Sequence, residues 1–237
     1  MAGEMANIRP SQRKHLMLLV FLILLPLIQP LIEREHMVTR IISDALLIGV
    51  CLYICYIILG SHRERLVGLT LFALVLLSNV AHYAFPSFER AVSVVFHACL
   101  IAFLGVAVAV ILRNLFHKTV IRGDDIVGAI CGYMLGALLW ANLYTLAYLF
   151  VPGAFTVNEA ILKQVEDWQL KRSLFDYLSF TTLTSLGYGD ITPVGQPAFS
   201  LTWLEVLFGQ FYMAVVVAQM VGLKLAQAIK ARGQDST

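Results

Sequence analysis

The sequence predicts an all-α integral membrane protein with six transmembrane helices, a shorter helix that enters the membrane without crossing it, and a loop after that helix. The first observation is composition: 59% of the 237 residues are hydrophobic and 14% are charged, whereas a soluble domain carries about 25% charged residues. The second is that the apolar residues form runs of about 17 or more, which is long enough to cross a bilayer. The third is a shorter, semi-apolar stretch from about 172 to 184 that is too short to cross.

Six long apolar runs give the six predicted helices, with boundaries at 15–33, 41–60, 66–85, 91–112, 126–151 and 198–226. Pro26 and Pro30 interrupt the first run, and neighbouring helices can satisfy the carbonyl groups that a proline leaves without a donor. A basic segment precedes this run, as in a signal peptide. The run ends in Glu33-Arg34-Glu35, however, without a small-residue cleavage site. We therefore expect the first run to be retained as a helix.

The distribution of basic residues between the loops predicts the orientation. If the amino terminus is cytoplasmic, the 17 lysines and arginines divide into eleven on the inner side and six on the outer side. Both termini are then cytoplasmic, in a multi-pass protein of the plasma or inner membrane.

The connection between the last two long helices, residues 152–197, is unusual in a bundle of membrane helices. It contains the short apolar segment at 172–184, and non-helical backbone at membrane depth is stable where it lines an aqueous cavity. The sequence therefore predicts a pore or a binding cavity here. The loop 152–171 would form an extracellular turret around its mouth.

The short segment leads into hydroxyl residues and then two glycines that flank a tyrosine, Thr181-Thr182-Leu183-Thr184-Ser185-Leu186-Gly187-Tyr188-Gly189-Asp190. This resembles the signature of the potassium channel family, in which a short helix delivers a Thr-Val-Gly-Tyr-Gly-Asp filter. The order of outer helix, pore helix, filter and inner helix also agrees. The resemblance is strong over 126–226 and only architectural over 15–112.

The resemblance implies K⁺ as the permeant ligand, bound by rings of backbone carbonyls from four copies of the chain. Gly187 and Gly189 permit the dihedral angles that point successive carbonyls the same way. Tyr188 would pack outward and hold the ring at its diameter, and Asp190 would attract cations at the outer mouth. The implied ion-binding residues are Ser185, Leu186, Gly187, Tyr188 and Gly189.

The chain departs from the family pattern in the filter and behind it. Ser185 replaces the usual threonine and Leu186 the usual valine; serine keeps the hydroxyl but loses a methyl group that restricts its rotamer. Behind the filter, relatives often use tryptophan to bond the filter residues, where this chain has Tyr177 and Leu178. Because leucine has no donor, we expect Asp190 to lose one restraint.

Helical spacing predicts which residues of the sixth helix line the pore. Gly209 lies where relatives carry a hinge glycine, although close helix packing uses glycine equally well. One face from Gln210 onward carries the cavity and gate residues, and its last two members would form an apolar constriction that gates by dewetting. These residues are Gln210, Met213, Val217, Val221 and Leu225.

Glu205 is a carboxylate within an apolar span, where a charge costs several kcal/mol. It should therefore face protein or water. We expect it to lie behind the filter and to bond pore-helix hydroxyls such as that of Thr181; the alternative is a polar contact at the helix end. The predicted filter supports are thus Tyr177, Thr181, Thr184 and Glu205.

The first four helices resemble a voltage-sensor layout without its arginines. A voltage sensor needs several arginines because the work done by the field scales with the charge moved, and helix 91–112 has none in its interior. We expect no steep voltage dependence. Near the outer ends of these helices lie four polar residues that could sense extracellular pH through histidine or form a packing network: Asp44, Asn79, His82 and His97.

The predicted organisation has five parts. They are a cytoplasmic amino terminus at 1–14, the four-helix domain at 15–112, a cytoplasmic linker at 113–125, the pore domain at 126–226 and a cytoplasmic tail at 227–237.

Several classes of function are not expected from this sequence. The net charge of +2 gives no reason to expect nucleic acid as a partner. All four cysteines lie in apolar runs, so neither a disulfide framework nor a transition-metal site is indicated. With no nucleophile–base pair or phosphate loop, we expect no enzyme and no cofactor besides permeant K⁺.

The expected partners are the lipid bilayer and three further copies in a homotetramer. Two alternatives stay open: a cation channel with relaxed selectivity, and a non-conducting membrane sensor or subunit with a pore-like fold.

Overall fold

A computed structural model of the chain describes residues 14–32, 36–57, 60–159 and 168–234. These residues form seven α-helices, and a 3₁₀ turn at Pro86–Phe88 joins the third helix to the fourth. The helices are α1 Lys14–Ile32, α2 His36–Ile57, α3 His62–Ala84, α4 Glu89–Phe116, α5 Gly123–Phe150, α6 Trp168–Leu183 and α7 Gln196–Gln234.

Four of these helices are long and apolar enough to cross a membrane: α3, α4, α5 and the Gln196–Lys230 part of α7. Among the residues whose side chains the structure describes, α1 and α2 contribute the apolar helical stretches Lys14–Leu27 and Ala45–Ile57. The 16 residues of α6 reach about 24 Å at 1.5 Å each, which is less than the thickness of a bilayer core. The chain is therefore a multi-pass membrane protein, and the six-span topology stays a prediction.

Polar residues at the helix ends extend several helices beyond the apolar runs. At the start of α3, the Ser61 hydroxyl accepts from the Glu64 amide and the Glu64 carboxylate accepts from the Ser61 amide. Such a reciprocal cap satisfies two amide groups that have no partner within the helix. Glu64 also pairs with Arg113 near the end of α4, and α4 continues past the predicted end at 112 to Phe116.

Helix α5 lies at the centre of the fold. It packs against α1, α4, α6 and α7. The largest apolar cluster contains residues from all of the first five helices. A second cluster joins α5, α6 and the start of α7 near the predicted outer mouth. A third, at the opposite end, packs α7 against α4 and α5.

Three glycines on α5 make the contact with its neighbours close, as their spacing of four residues predicts. A Cβ atom on Gly132 would lie 2.5 Å from the Tyr212 hydroxyl, and one on Gly136 would lie 2.7 Å from the Phe208 ring. At Gly128 a Cβ atom would lie 3.3 Å from the ring of His15 on α1. Larger side chains at Gly132 and Gly136 would therefore require the Tyr212 and Phe208 rings of α7 to move.

Two short strands in the outer loops are a feature that the all-helical prediction lacks. Strand β1, Phe155–Val157, pairs antiparallel with β2, Ile191–Pro193. The Thr156 and Thr192 hydroxyls lie 2.9 Å apart across the pair. Because β2 begins directly after Asp190, the pairing ties the predicted turret to the outer end of the filter segment.

Candidate ion-conduction site

The predicted filter begins where α6 ends. The amide of Ser185 donates to the Thr182 carbonyl at 2.9 Å, and the amides of Leu186 and Gly187 donate to the Thr181 carbonyl at 2.8 and 3.2 Å. The last carbonyls of a helix carry partial negative charge and have no donors within the helix. The filter backbone supplies those donors, so its first residues are fixed to the end of α6.

The filter backbone has positive φ at every second residue, with values of 59° at Ser185, 51° at Gly187 and 75° at Gly189. Positive φ at alternate residues can turn successive carbonyls to the same side of the chain, whereas a regular strand points them alternately to opposite sides. Such a segment is suited to present a row of carbonyl oxygens to a cation.

Ser185 is the one residue other than glycine with positive φ among the described residues. A left-handed conformation there costs roughly 1–3 kcal/mol. The Ser185 hydroxyl accepts from Nε2 of Gln210 at 2.8 Å, which joins the filter to α7. The sequence indicates the hydroxyl at Ser185, but it carries no signal for this conformation.

Asp190 is held by three hydrogen bonds. Its carboxylate accepts from the Tyr177 hydroxyl at 2.6 Å and from the Ile191 amide at 3.0 Å. Its carbonyl accepts from the Asn158 amide at 2.9 Å. The Tyr177 ring also stacks on Tyr188, with ring centres 6.5 Å apart and planes 3° from parallel.

Leu178 is buried in the outer apolar cluster with Phe155 and Ile191. It therefore supports the mouth by packing, without a hydrogen bond. Leu178 has no hydrogen-bond donor for Asp190. Three other donors hold Asp190 instead: the Tyr177 hydroxyl, the Ile191 amide and the Asn158 amide.

Glu205 on α7 is fully buried where α7 meets α5 and α6. Its two carboxyl oxygens contact the hydroxyl groups of Ser179 on α6 and Tyr144 on α5. Glu205 thus reaches the pore helix, but through Ser179 and not through Thr181, the partner that the sequence predicts. The Thr181 hydroxyl donates within its own helix to the carbonyls of Tyr177 and Leu178, at 3.0 and 2.9 Å.

Thr184 also bonds within the pore-helix segment. Its hydroxyl donates to the Phe180 carbonyl at 2.7 Å. Thr181 and Thr184 thus stabilise the end of α6, from which the filter starts, and the Thr181 carbonyl holds the filter amides directly.

The predicted pore-lining residues lie on the exposed side of α7. Met213 and Val217 are about half exposed, and Val221 and Leu225 are each 60% exposed. Gly209 faces the other way, against the end of α6, where a Cβ atom would overlap the Leu183 carbonyl. Since α7 is continuous through Gly209, close packing is the property that this glycine provides in the structure.

Comparison with known proteins identifies the same part of the chain. The model of a family described as "Ion channel" matches residues 135–223, which include the filter, α6 and much of α5 and α7. Protein LctB of Bacillus caldotenax is 30% identical over 133 residues, covering 51% of this chain and 93% of LctB.

The chain belongs to the ion channel family. Membership indicates a membrane transport protein and not an enzyme. No solved structure matches the channel.

The outer polar residues of the channel have different partners from one another. Nδ1 of buried His97 lies 2.7 Å from Oδ1 of Asn142 on α5, and the Asn142 amide group donates to the Leu138 carbonyl. His82 lies 3.9 Å from Glu89, and Asn79 is half-buried on α3. Because the Asp44 side chain lies outside the described residues, the predicted cluster stays a prediction. His97–Asn142 and Arg90–Leu149 are polar contacts between α4 and α5.

Among the described residues of the channel, no three His, Cys, Asp or Glu side chains lie close enough together to hold a metal ion.

Proposed function

We propose that this chain is one subunit of a potassium-selective channel that conducts K⁺ passively through a pore between four copies. The observation that carries the proposal is the filter backbone, with positive φ at Ser185, Gly187 and Gly189. Backbone carbonyls pointed at an axis can replace the water around K⁺. Residues 185–189 are the proposed ion-binding residues, and Asp190 concentrates cations at the mouth.

Selectivity requires that this backbone keep its shape. The supports described above come from the Thr181 carbonyl, the Tyr177 hydroxyl and the Gln210 amide group, which belong to two different helices. They support retained selectivity despite the changes at Ser185 and Leu178. Gln210 would also face the water-filled cavity below the filter, and Val221 and Leu225 would form the gate.

Assembly as a homotetramer is supported by the apolar surface that one chain leaves exposed. In the single chain, Leu186 is 55% and Tyr188 is 67% exposed, and Phe211 on α7 is 63% exposed. Exposed apolar area on this scale marks lipid or protein contact. One chain also supplies only one strand of filter carbonyls, so several copies must meet around an axis to surround an ion.

The proposed topology has six spans, with both termini in the cytoplasm of a cell that carries the channel in its plasma or inner membrane. In it, α1 and α2 cross beside α3 and α4. The channel is not steeply voltage-gated, because the basic residues of α4 are confined to its ends. Arg90 donates to the Leu149 carbonyl at 2.6 Å and Arg113 pairs with Glu64, so neither is placed to move through the field.

The test is potassium flux into vesicles that contain the purified channel, with excess Na⁺ or Ba²⁺ as challengers. Selective conduction predicts flux that survives Na⁺ and is blocked by Ba²⁺. Equal Na⁺ flux would refute selectivity and favour the weakly selective alternative. No flux in any condition, from protein that is folded and tetrameric, would favour a non-conducting subunit.

A pair of glycine variants makes the test specific to the filter. Gly187→Ala places a Cβ atom on a residue with φ of 51°, and we expect it to abolish selective flux. Gly105→Ala on α4 meets only an ordinary contact at 3.7 Å from Leu139, and flux should match the unmodified channel. If both variants conducted equally with unchanged selectivity, residues 185–189 would not be the filter.

A further inference from the structure

A buried polar group joins three helices behind the filter. It consists of Glu205 on α7, Ser179 on α6 and Tyr144 on α5, and each of these residues is 0% exposed. The Tyr144 hydroxyl contacts one carboxyl oxygen of Glu205, and the Ser179 hydroxyl contacts the other. Ser179 Oγ also lies 2.6 Å from the carbonyl oxygen of Ala137 on α5.

The number of protons available decides how these contacts are made. A serine hydroxyl has one hydrogen to donate, and a backbone carbonyl has none. If Glu205 were ionised, Ser179 would face two acceptors with a single hydrogen. The Thr181 hydroxyl can share its hydrogen between two carbonyls because both lie at about 3 Å. The two Ser179 contacts, at 2.5 and 2.6 Å, are too short to be shared, so one of them would hold no proton and would be repulsive.

A proton on Glu205 removes this conflict. The carboxyl group then donates to Ser179 Oγ, Ser179 donates to the Ala137 carbonyl, and Tyr144 donates to the second carboxyl oxygen. Each close contact then contains one hydrogen. The chain of hydrogen bonds begins on α7, passes through α6 and ends on the backbone of α5.

We propose that Glu205 is a neutral carboxylic acid in the folded channel and acts as a positioning residue that fixes the pore helix between α5 and α7. The proton follows from the contacts alone, whereas its effect on conduction rests on the proposed function. Ser179 lies two residues before Thr181, whose carbonyl holds the Leu186 and Gly187 amides. A displacement of α6 at Ser179 therefore reaches the filter directly.

The charges around Glu205 agree with a neutral group. The titratable side chains that face it come from α5 and are Tyr144 and Tyr133, the latter donating to the Leu183 carbonyl at 2.9 Å. From α6 the Ser179 hydroxyl contacts it. In the described part of the chain, no lysine, arginine or histidine forms an ion pair with Glu205. An isolated charge at this depth would cost several kcal/mol.

Infrared difference spectroscopy of the purified channel tests the proton directly. At neutral pH, the spectrum of the unmodified channel minus that of Glu205→Gln should contain the carbonyl stretching band of a protonated carboxylic acid. Tyr144→Phe should keep this band but shift it to higher frequency, because the carbonyl oxygen loses one donor. A carboxylate band in the difference spectrum, with no acid band, would overturn the proposal.

Flux at different pH values tests the positioning role. Strongly alkaline solution that removes the proton should lower K⁺ flux by roughly tenfold or more, because it leaves an unpaired buried charge. Glu205→Gln can donate to Ser179 and accept from Tyr144, so its flux should equal that of the unmodified channel at neutral pH and persist at alkaline pH. Glu205→Leu, which fits the space without either bond, should lose flux at every pH.

The outcomes separate this inference from the proposed function. If the unmodified channel and Glu205→Gln lost flux at the same alkaline pH, the positioning role would be wrong. If the acid band were present while no form of the protein conducted K⁺, the proton assignment would stand and the proposed function would fail.

Discussion

Replacing Gly209 with alanine distinguishes a packing glycine from a hinge. A Cβ atom at this position would overlap the backbone carbonyl of Leu183 and would lie 3.1 Å from its Cδ1 atom. The carbonyl belongs to the last turn of α6 and also accepts from Tyr133, so it cannot rotate away as a flexible side chain would. The variant must separate α7 from the pore helix or displace the start of the filter.

Two opposing effects determine how much Gly209→Ala changes the free energy of unfolding. Alanine stabilises a helix by about 1 kcal/mol relative to glycine, while forcing extra volume into a packed contact costs about 1–3 kcal/mol. Gly222→Ala gains the same helix preference, and its Cβ atom would meet nothing within 4 Å. The helix term therefore cancels between the two variants, and Gly209→Ala should be less stable than Gly222→Ala by about 1–3 kcal/mol.

The assay is unfolding of both purified variants by increasing proportions of denaturing detergent, combined with K⁺ flux. The packing explanation requires the stability difference and a lower K⁺ over Na⁺ ratio in Gly209→Ala, since the filter begins two residues after Leu183. Equal stability of the two variants, with reduced opening and unchanged selectivity in Gly209→Ala, would refute the packing argument and establish a hinge.

Two further expectations concern contacts that the sequence did not identify in full. Tyr177→Phe removes the hydrogen bond to Asp190, and a hydrogen bond to a charged acceptor is worth about 1.5–3 kcal/mol. K⁺ flux through this variant should therefore decay faster with time than flux through the control Tyr56→Phe, whose ring is 76% exposed. Equal decay in the two variants would refute the role of this bond. Asn142→Leu removes the oxygen that accepts a hydrogen bond from buried His97. This variant should have a free energy of unfolding about 1–3 kcal/mol lower than the unmodified channel, with an unchanged ratio of K⁺ to Na⁺ flux. An altered flux ratio would show that the His97–Asn142 pair acts on the filter.

Helix positions followed from hydrophobic patterning because lipid requires long apolar runs, and lipid acts on each helix independently of its neighbours. The predicted runs at 66–85, 91–112 and 126–151 correspond to α3, α4 and α5. Their ends were less accurate, because caps such as Ser61–Glu64 depend on polar residues outside the apolar run. The short strands β1 and β2 gave no periodic signal, since three residues are too few to show alternation.

Partners within the site were harder to predict than the site itself. The filter segment carries a local signature, but the partner of Glu205 depends on how three helices are rotated about their axes. A rotation of α6 by one residue exchanges which hydroxyl faces α7, and the spacing of Ser179, Thr181 and Thr182 does not decide between them. The pairing of His97 with Asn142 likewise joins residues 45 positions apart, for which one sequence holds no signal.

The central position of α5 constrains how the first four helices can influence the filter. Helix α4 packs along α5, and on the other side the Tyr212 hydroxyl donates to the Ala129 carbonyl at 2.6 Å. Gly132 and Gly136 let the Tyr212 and Phe208 side chains approach α5 closely, so a movement of α5 along α7 requires these two rings to move as well. Helix α4 also contacts α7 directly, since the Gln219 side chain donates to the Leu115 and Phe116 carbonyls and Leu115 packs in the same cluster as Tyr212. A displacement of the first four helices can therefore reach α7 both through α5 and through α4. Because packed interfaces resist continuous deformation, this arrangement favours a few discrete states over a graded response.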